Sequence, residues 1–177
     1  YMSKYSKKDL RSHIFDLPDT YVGSAEKSEQ NRRTLVDGKY KETKLQIVDA
    51  IINCFDEIRV NAIDESVRNK IKSISFFIDG NVIKVKNEGS IPIEKYDKED
   101  IYIPEMIFGH LLSSSNYDVK GKIVGGKNGY GAKITNIFSV EFTVITADGT
   151  NKYKQTFSNN MKDKTKPSIT KCSVKPF

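Results

Sequence analysis

Three polar side chains interrupt an otherwise apolar helical stretch: Glu57, Asn61 and Asp64, within FDEIRVNAIDE at residues 55–65. Spacings of four and three residues put them on one face of a helix. A carboxylate with an amide one turn on can divide the labour of nucleotide hydrolysis. The carboxylate polarises an attacking water, and the amide oxygen ligates a Mg²⁺ that also holds the phosphates. The same spacing also suits a solvated stripe on an amphipathic helix, so this face needs a partner elsewhere in the chain.

A candidate partner is the stretch VGGKNGYGAKITNIFS, residues 124–139, which holds four of the chain's eleven glycines. Glycines let backbone N–H groups face a ligand without a Cβ in the way. A helix that begins directly after them adds unpaired donors and the positive end of its dipole. With Lys127 and Lys133 supplying charge, the stretch suits an anion, and a nucleotide phosphate first of all. The familiar phosphate loops do not fit. Gly129-Tyr130-Gly131-Ala132-Lys133 runs into Ile134 where a Walker A loop needs Ser or Thr after its lysine, and Ile134 also stands where a Rossmann loop needs its third glycine. Taken alone, the stretch also reads as a flexible surface loop.

Two smaller segments carry polar groups near these. In NEGSIP, residues 87–92, Asn87 closes a predicted strand and Gly89 leaves room for a planar ring, an arrangement able to hydrogen-bond an adenine edge. An ordinary turn explains it equally well. SSSNY, residues 113–117, offers hydroxyl and amide donors just ahead of the glycines, or plain loop.

The elements that must position these groups follow from periodicity. SKKDLRSHIF, residues 6–15, suits a short helix ending before Leu17-Pro18, and the polar residues 24–43 read as a loop. From Leu45 to Val67, apolar residues at 48, 51, 52, 55, 58, 62 and 63 predict the longest helix. SISFFI and NVIKVK alternate and meet at Asp79-Gly80-Asn81, which predicts a hairpin. Pro104 to Leu112 suits a helix opened by its proline, and residues 131–138 a helix after the glycines. VEFTVITA and KYKQTF pair across Asp148-Gly149, while the lysine-rich tail from Asn159 shows no clear pattern. Helices segregated from an antiparallel or mixed sheet predict an α+β two-layer sandwich, with helices covering one face of a mostly antiparallel sheet.

A chain of 177 residues that is 37% apolar has material for one domain with a real core. It contains no run of 18 apolar residues and no signal-peptide pattern, which predicts a soluble protein of a reducing compartment. Cys54 and Cys172 have neither a disulfide framework nor metal spacing, and Cys54 reads as a small core residue. The net charge of +6 is uneven, because residues 120–177 carry 11 Lys or Arg against 3 Asp or Glu. Such a segment suits nucleic acid or a polyphosphate, or simply a solvated surface.

In combination, F-D-E-I-R-V-N-A, N-E-G-x-I-P, I-F-G-H-L-L-S-S-S-N-Y-D and V-G-G-K-N-G-Y-G-A-K-I-T-N-I-F-S change status. In this order they resemble the ATPase domain of type IIA DNA topoisomerases, a member of the GHKL (Bergerat-fold) superfamily. The eukaryotic and viral branch is nearer than bacterial gyrase, and LPDTYVGS at 17–24 is similar to the family's opening segment. Chaperones, mismatch-repair proteins and histidine kinases of the superfamily share the helix carboxylate and asparagine but not N-G-Y-G-A-K.

By matching position, the resemblance implies Glu57 as general base, Asn61 as Mg²⁺ ligand and Asn87, beside Gly89, as adenine reader. Ser114, Ser115 and Asn116 would face ribose and phosphates. Gly126, Lys127, Asn128, Gly129, Tyr130, Gly131, Ala132 and Lys133 would form the phosphate lid, within a lid region spanning 113–130, with Lys133 a charge partner in catalysis. The implied cofactors are ATP and Mg²⁺. The implied role is the N-terminal gate of an ATP-dependent, homodimeric enzyme that passes one DNA duplex through another. Alternatives are a non-hydrolysing nucleotide switch for dimerisation, or another ATPase of chaperone or repair type. An intracellular place follows from the resemblance: nuclear in a eukaryote, otherwise cytoplasmic or at a viral replication site.

Two departures stand out. The family's N/D-x-G-x-G-I-P has a second glycine, whereas here Ser90 runs straight into Ile91. The sequence also contains neither the transducer domain, whose lysine reaches the γ-phosphate in relatives, nor the region of the DNA-cleaving tyrosine. This implies part of a larger enzyme or a stand-alone descendant, largely monomeric or weakly dimeric by itself.

Overall fold

The computed structural model describes residues 8–97, 99–111 and 130–172. The first helix, α1 (Leu10–Asp16), is capped by Asp9, whose Oδ1 accepts from the Ser12 N–H at 3.0 Å. Pro18 then opens a single turn, α2 (Pro18–Tyr21).

Residues 24–43, expected as a loop, instead supply most of a hairpin of β1 (Ser28–Val36) and β2 (Lys39–Ile47). The reason is the turn. Asp37 and Gly38 both take positive φ, 52° and 74°, as a two-residue primed turn requires. The signal is hidden because both faces of the arm are largely polar and exposed, so no apolar alternation marks the strands.

The long helix α3 (Asp49–Asn69) starts four residues later than its periodicity suggests, because Leu45–Ile47 belong to β2. Lys70 ends it in the left-handed region at φ 52°. The hairpin β3 (Ile74–Asp79) and β4 (Val82–Asn87) turns at Gly80-Asn81 as expected, and α3 lies against it, with Phe55 edge-on to Phe76 at 5.8 Å. Next come α4 (Ile103–Gly109) and α5 (Gly131–Ile137). The last sheet holds β5 (Glu141–Ala147), β6 (Asn151–Ser158), β7 (Asp163–Lys164) and β8 (Ser168–Lys171), the last two formed by the tail that showed no clear pattern.

The α+β class is as expected. Among the described residues, all strand pairs are antiparallel, and they divide into sheets of two, two and four strands. Two apolar clusters hold the helices and sheet together. Ile14, Val22, Ala50, Ile134 and Ile137 join α1, α3 and α5, while Val144, Tyr153 and Phe157 line the large sheet under α4. Cys54 is half-buried beside the first cluster, and burial pushes its thiol up to about 11, so it is a packing residue and not a reactive one.

Candidate functional site

The sharpest constraint in the structure joins the two segments that sequence spacing picked out. A Cβ built on Gly131 would lie 1.8 Å from Glu57 Oε2 and 2.7 Å from Glu57 Cδ. The carboxylate of α3 therefore rests directly on the first residue of α5, in a gap that only glycine leaves open. Thr135 fastens the two helices there, with its Oγ1 3.0 Å from the Cys54 carbonyl and 3.1 Å from the Gly131 carbonyl. The Glu57 side chain stays exposed to solvent overall, but its partial desolvation raises the carboxyl above its usual range, and the neighbouring Asp56 adds to the effect. Asp56 itself accepts from Arg59 Nε at 2.8 Å. A carboxylate of raised pKa in a gap beside a lysine-bearing helix is what a general base for water requires.

Lys133, two residues into α5, is only 1% exposed, and burial pushes its ammonium down to about 8. Ala132 is buried as well, and Tyr130 packs against the cluster of Ile14 and Ile137, so both serve the core. Asn61 stands exposed one turn beyond Glu57 on α3, and Asp64 is half-buried one turn further.

At the other end of α3, Asn87 closes β4 and its Oδ1 accepts from the Gly89 N–H at 3.1 Å. That bond makes the turn, and it uses only one of the amide's hydrogen-bonding positions. A Cβ on Gly89 would meet Glu65 Cγ at 2.7 Å and Ile71 Cδ1 at 2.9 Å, so this loop too is pressed onto α3. Glu65 follows Glu57 by eight residues, about 12 Å along a helix. The two glycine contacts are thus spread along α3 over a span comparable with a nucleotide from base to terminal phosphate.

The loop one residue short of the family pattern is closed by a bond that sequence reasoning missed: the Ile91 N–H donates to Thr146 Oγ1 at 3.0 Å. Thr146 is buried on β5, and its signal was its place among the inward positions of that alternating strand. Ser114, Ser115, Asn116, Gly126, Lys127, Asn128 and Gly129 lie outside the described residues.

Known proteins resemble this chain closely in sequence and fold. The chain is 50% identical to DNA topoisomerase 2 of Arabidopsis thaliana and 46% identical to that of Saccharomyces cerevisiae, over 96% and 98% of its length. It superimposes on the ATPase region of Saccharomyces cerevisiae topoisomerase II with a TM-score of 0.92 at 47% identity, covering 98% of this chain. The chain belongs to the ATPase-region family of type II DNA topoisomerases. The ATPase and transducer domains of topoisomerase II from Balamuthia mandrillaris match with the same TM-score at 41% identity, over 97% of the chain. The chain spans 12–13% of the two curated relatives and 46–48% of the two solved chains. No protein-family profile matches it.

Proposed function

We propose that the chain binds and hydrolyses ATP with Mg²⁺, as the gate region of an intracellular type II DNA topoisomerase that works as a homodimer on double-stranded DNA. The observation that carries this is the contact of the Glu57 carboxylate with Gly131 in a chain of this family. It seats the proposed base on the first residue of the helix that also carries Lys133. In the reaction, Glu57 takes the proton from the attacking water as the bond to the terminal phosphorus forms and the bond to the departing ADP oxygen breaks. Lys133 favours the charge on the phosphates, and Asn87 with Gly89 receives the adenine at the far end of α3.

Asn61 would hold the Mg²⁺. Its exposed amide oxygen is a hard donor suited to that ion, and no group of three or more His, Cys, Asp or Glu among the described residues makes a rival protein cage. That donor set fits a cation kept mostly by water and substrate phosphates. When bound, the ion supplies charge neutralisation on those phosphates.

A non-hydrolysable ATP analogue with Mg²⁺ is expected to raise the melting temperature, because a ligand that prefers the folded state stabilises it by mass action. GTP is expected to do so less, through Asn87. No binding by calorimetry at millimolar nucleotide would overturn the reading, while equal effects of ATP and GTP would remove only the adenine assignment.

Affinity should also depend on pH through Lys133. Its ammonium loses its proton near pH 8 in the free chain, and a phosphate beside it favours the charged form. Below pH 8 both states carry the proton and affinity is flat. Above pH 8 binding takes up a proton, so affinity falls by up to about tenfold per pH unit. The calorimetric Kd for the analogue at pH 9 should therefore be roughly tenfold weaker than at pH 7. Equal values would place Lys133 away from the phosphates.

A further inference from the structure

Away from Glu57, the structure buries a second carboxylate that the chemistry above does not use. Glu105, in α4, is 6% exposed. Its Oε2 accepts from Gln155 Nε2 at 3.0 Å, and its Oε1 accepts from Lys164 Nζ at 2.5 Å and faces His110 Nε2 at 3.5 Å. Burial alone would push this carboxyl up, yet its partners, Lys164 foremost, hold it below its usual value. Gln155 is itself 1% exposed, donates to the Thr165 carbonyl at 2.9 Å, and accepts from the buried Tyr153 hydroxyl at 2.5 Å. A buried ion pair of this kind rarely adds much stability over an apolar core, but losing one partner strands the other charge. What it does give is a fixed geometry.

That geometry leads to the candidate site. Glu105 ties α4 to β6 through Gln155 and to β7 through Lys164. The far end of α4 is pressed on β6, since a Cβ on Gly109 would meet Phe157 Cε1 at 2.4 Å. From there Asn136 Nδ2, fully buried on α5, donates to the Phe108 carbonyl of α4 at 2.9 Å. Asn136 shares the seven-residue α5 with Gly131, on which Glu57 rests, and with Lys133.

We infer that Glu105, through its ion pair with Lys164, is a positioning residue for ATP hydrolysis: it fixes α4, and α4 fixes where α5 meets Glu57. The inference rests on the function proposed above. If the pair is cut, α4 and the start of α5 relax, the gap around Glu57 loosens, and the base loses alignment together with the partial desolvation that raises its pKa.

The test uses Lys164→Met, a change at a half-exposed side chain, together with Glu105→Gln and Lys164→Arg. Steady-state ATPase and analogue binding are measured across pH for each. Lys164→Met and Glu105→Gln should lower kcat about tenfold, less than a full ångström of misplacement costs. The acid limb of the rate profile should move toward the ordinary carboxylate range, with nucleotide affinity within a few-fold. The double variant should lose little more than either single one, and Lys164→Arg should restore both rate and limb. A purely structural role would lower the melting temperature while leaving kcat and the acid limb at parent values. That result overturns the inference and leaves the proposed function standing. A parent chain that binds Mg-ATP without turnover, or does not bind it, overturns the hydrolytic reading and this inference with it.

Discussion

Glu57→Gln is expected to leave nucleotide affinity within a few-fold while turnover falls by about 10²–10⁴, the usual effect of removing a general base. The amide fills the same gap beside Gly131, so packing of α3 on α5 survives; what disappears is the acceptor for the water's proton. Asn61→Ala should behave in the opposite way, weakening Mg-nucleotide binding itself. The acid limb of the rate profile adds an independent check. Partial desolvation and then Asp56 raise the Glu57 carboxyl. Activity needs its ionised form, so the rate is lost as pH falls through a value above the normal carboxylate range. Asp56→Asn removes the second cause and should shift that limb to lower pH. A Glu57→Gln chain that hydrolyses ATP at the parent rate would remove the residue from the chemistry.

What the sequence revealed, and what it hid, follows the range of the forces involved. The helix face carrying Glu57 and Asn61 was legible because 3.6-residue periodicity is local, and so were the hairpins at Gly80 and Gly149, where turn chemistry and apolar alternation agree. The β1–β2 arm was not legible. Its turn at Asp37-Gly38 is a sound hairpin signal, but its strands are wet on both faces, so alternation gave nothing to pair with it. The site divides in the same way. Motif order brought Glu57 and the glycine segment into one hypothesis, but the reason Gly131 must be glycine is a contact across 74 positions of sequence. The polar cluster of Glu105, Gln155 and Lys164 was invisible for the same cause, since those three positions belong to α4, β6 and β7 and converge only on folding.

Gly131→Ala should separate two readings of the glycine segment. If Gly131 serves only as flexible backbone near phosphates, alanine is a mild change. Its φ is not in the left-handed region, and alanine favours a helix by roughly 1 kcal/mol over glycine. The structure predicts otherwise. The new methyl would overlap Glu57 Oε2, at 1.8 Å, and crowd Glu57 Cβ, at 3.2 Å. Most of that clash is with the end of a flexible side chain, so the fold can accommodate it by swinging the carboxylate out of the gap. The melting temperature should therefore change little. The base, however, would be displaced by an ångström or more, and misplacement on that scale costs about 10²-fold in rate. The expected result is a well-folded chain whose kcat falls by about two orders of magnitude, with analogue affinity retained within a few-fold. Its acid limb should shift toward the ordinary carboxylate range as Glu57 regains water. In a Glu57→Gln background the same substitution should cost little further rate, since the group it displaces is already disabled. A rate unchanged by Gly131→Ala would mean that the Glu57 carboxylate does its work from another position, and the assignment of the α3–α5 contact as the catalytic junction would fall.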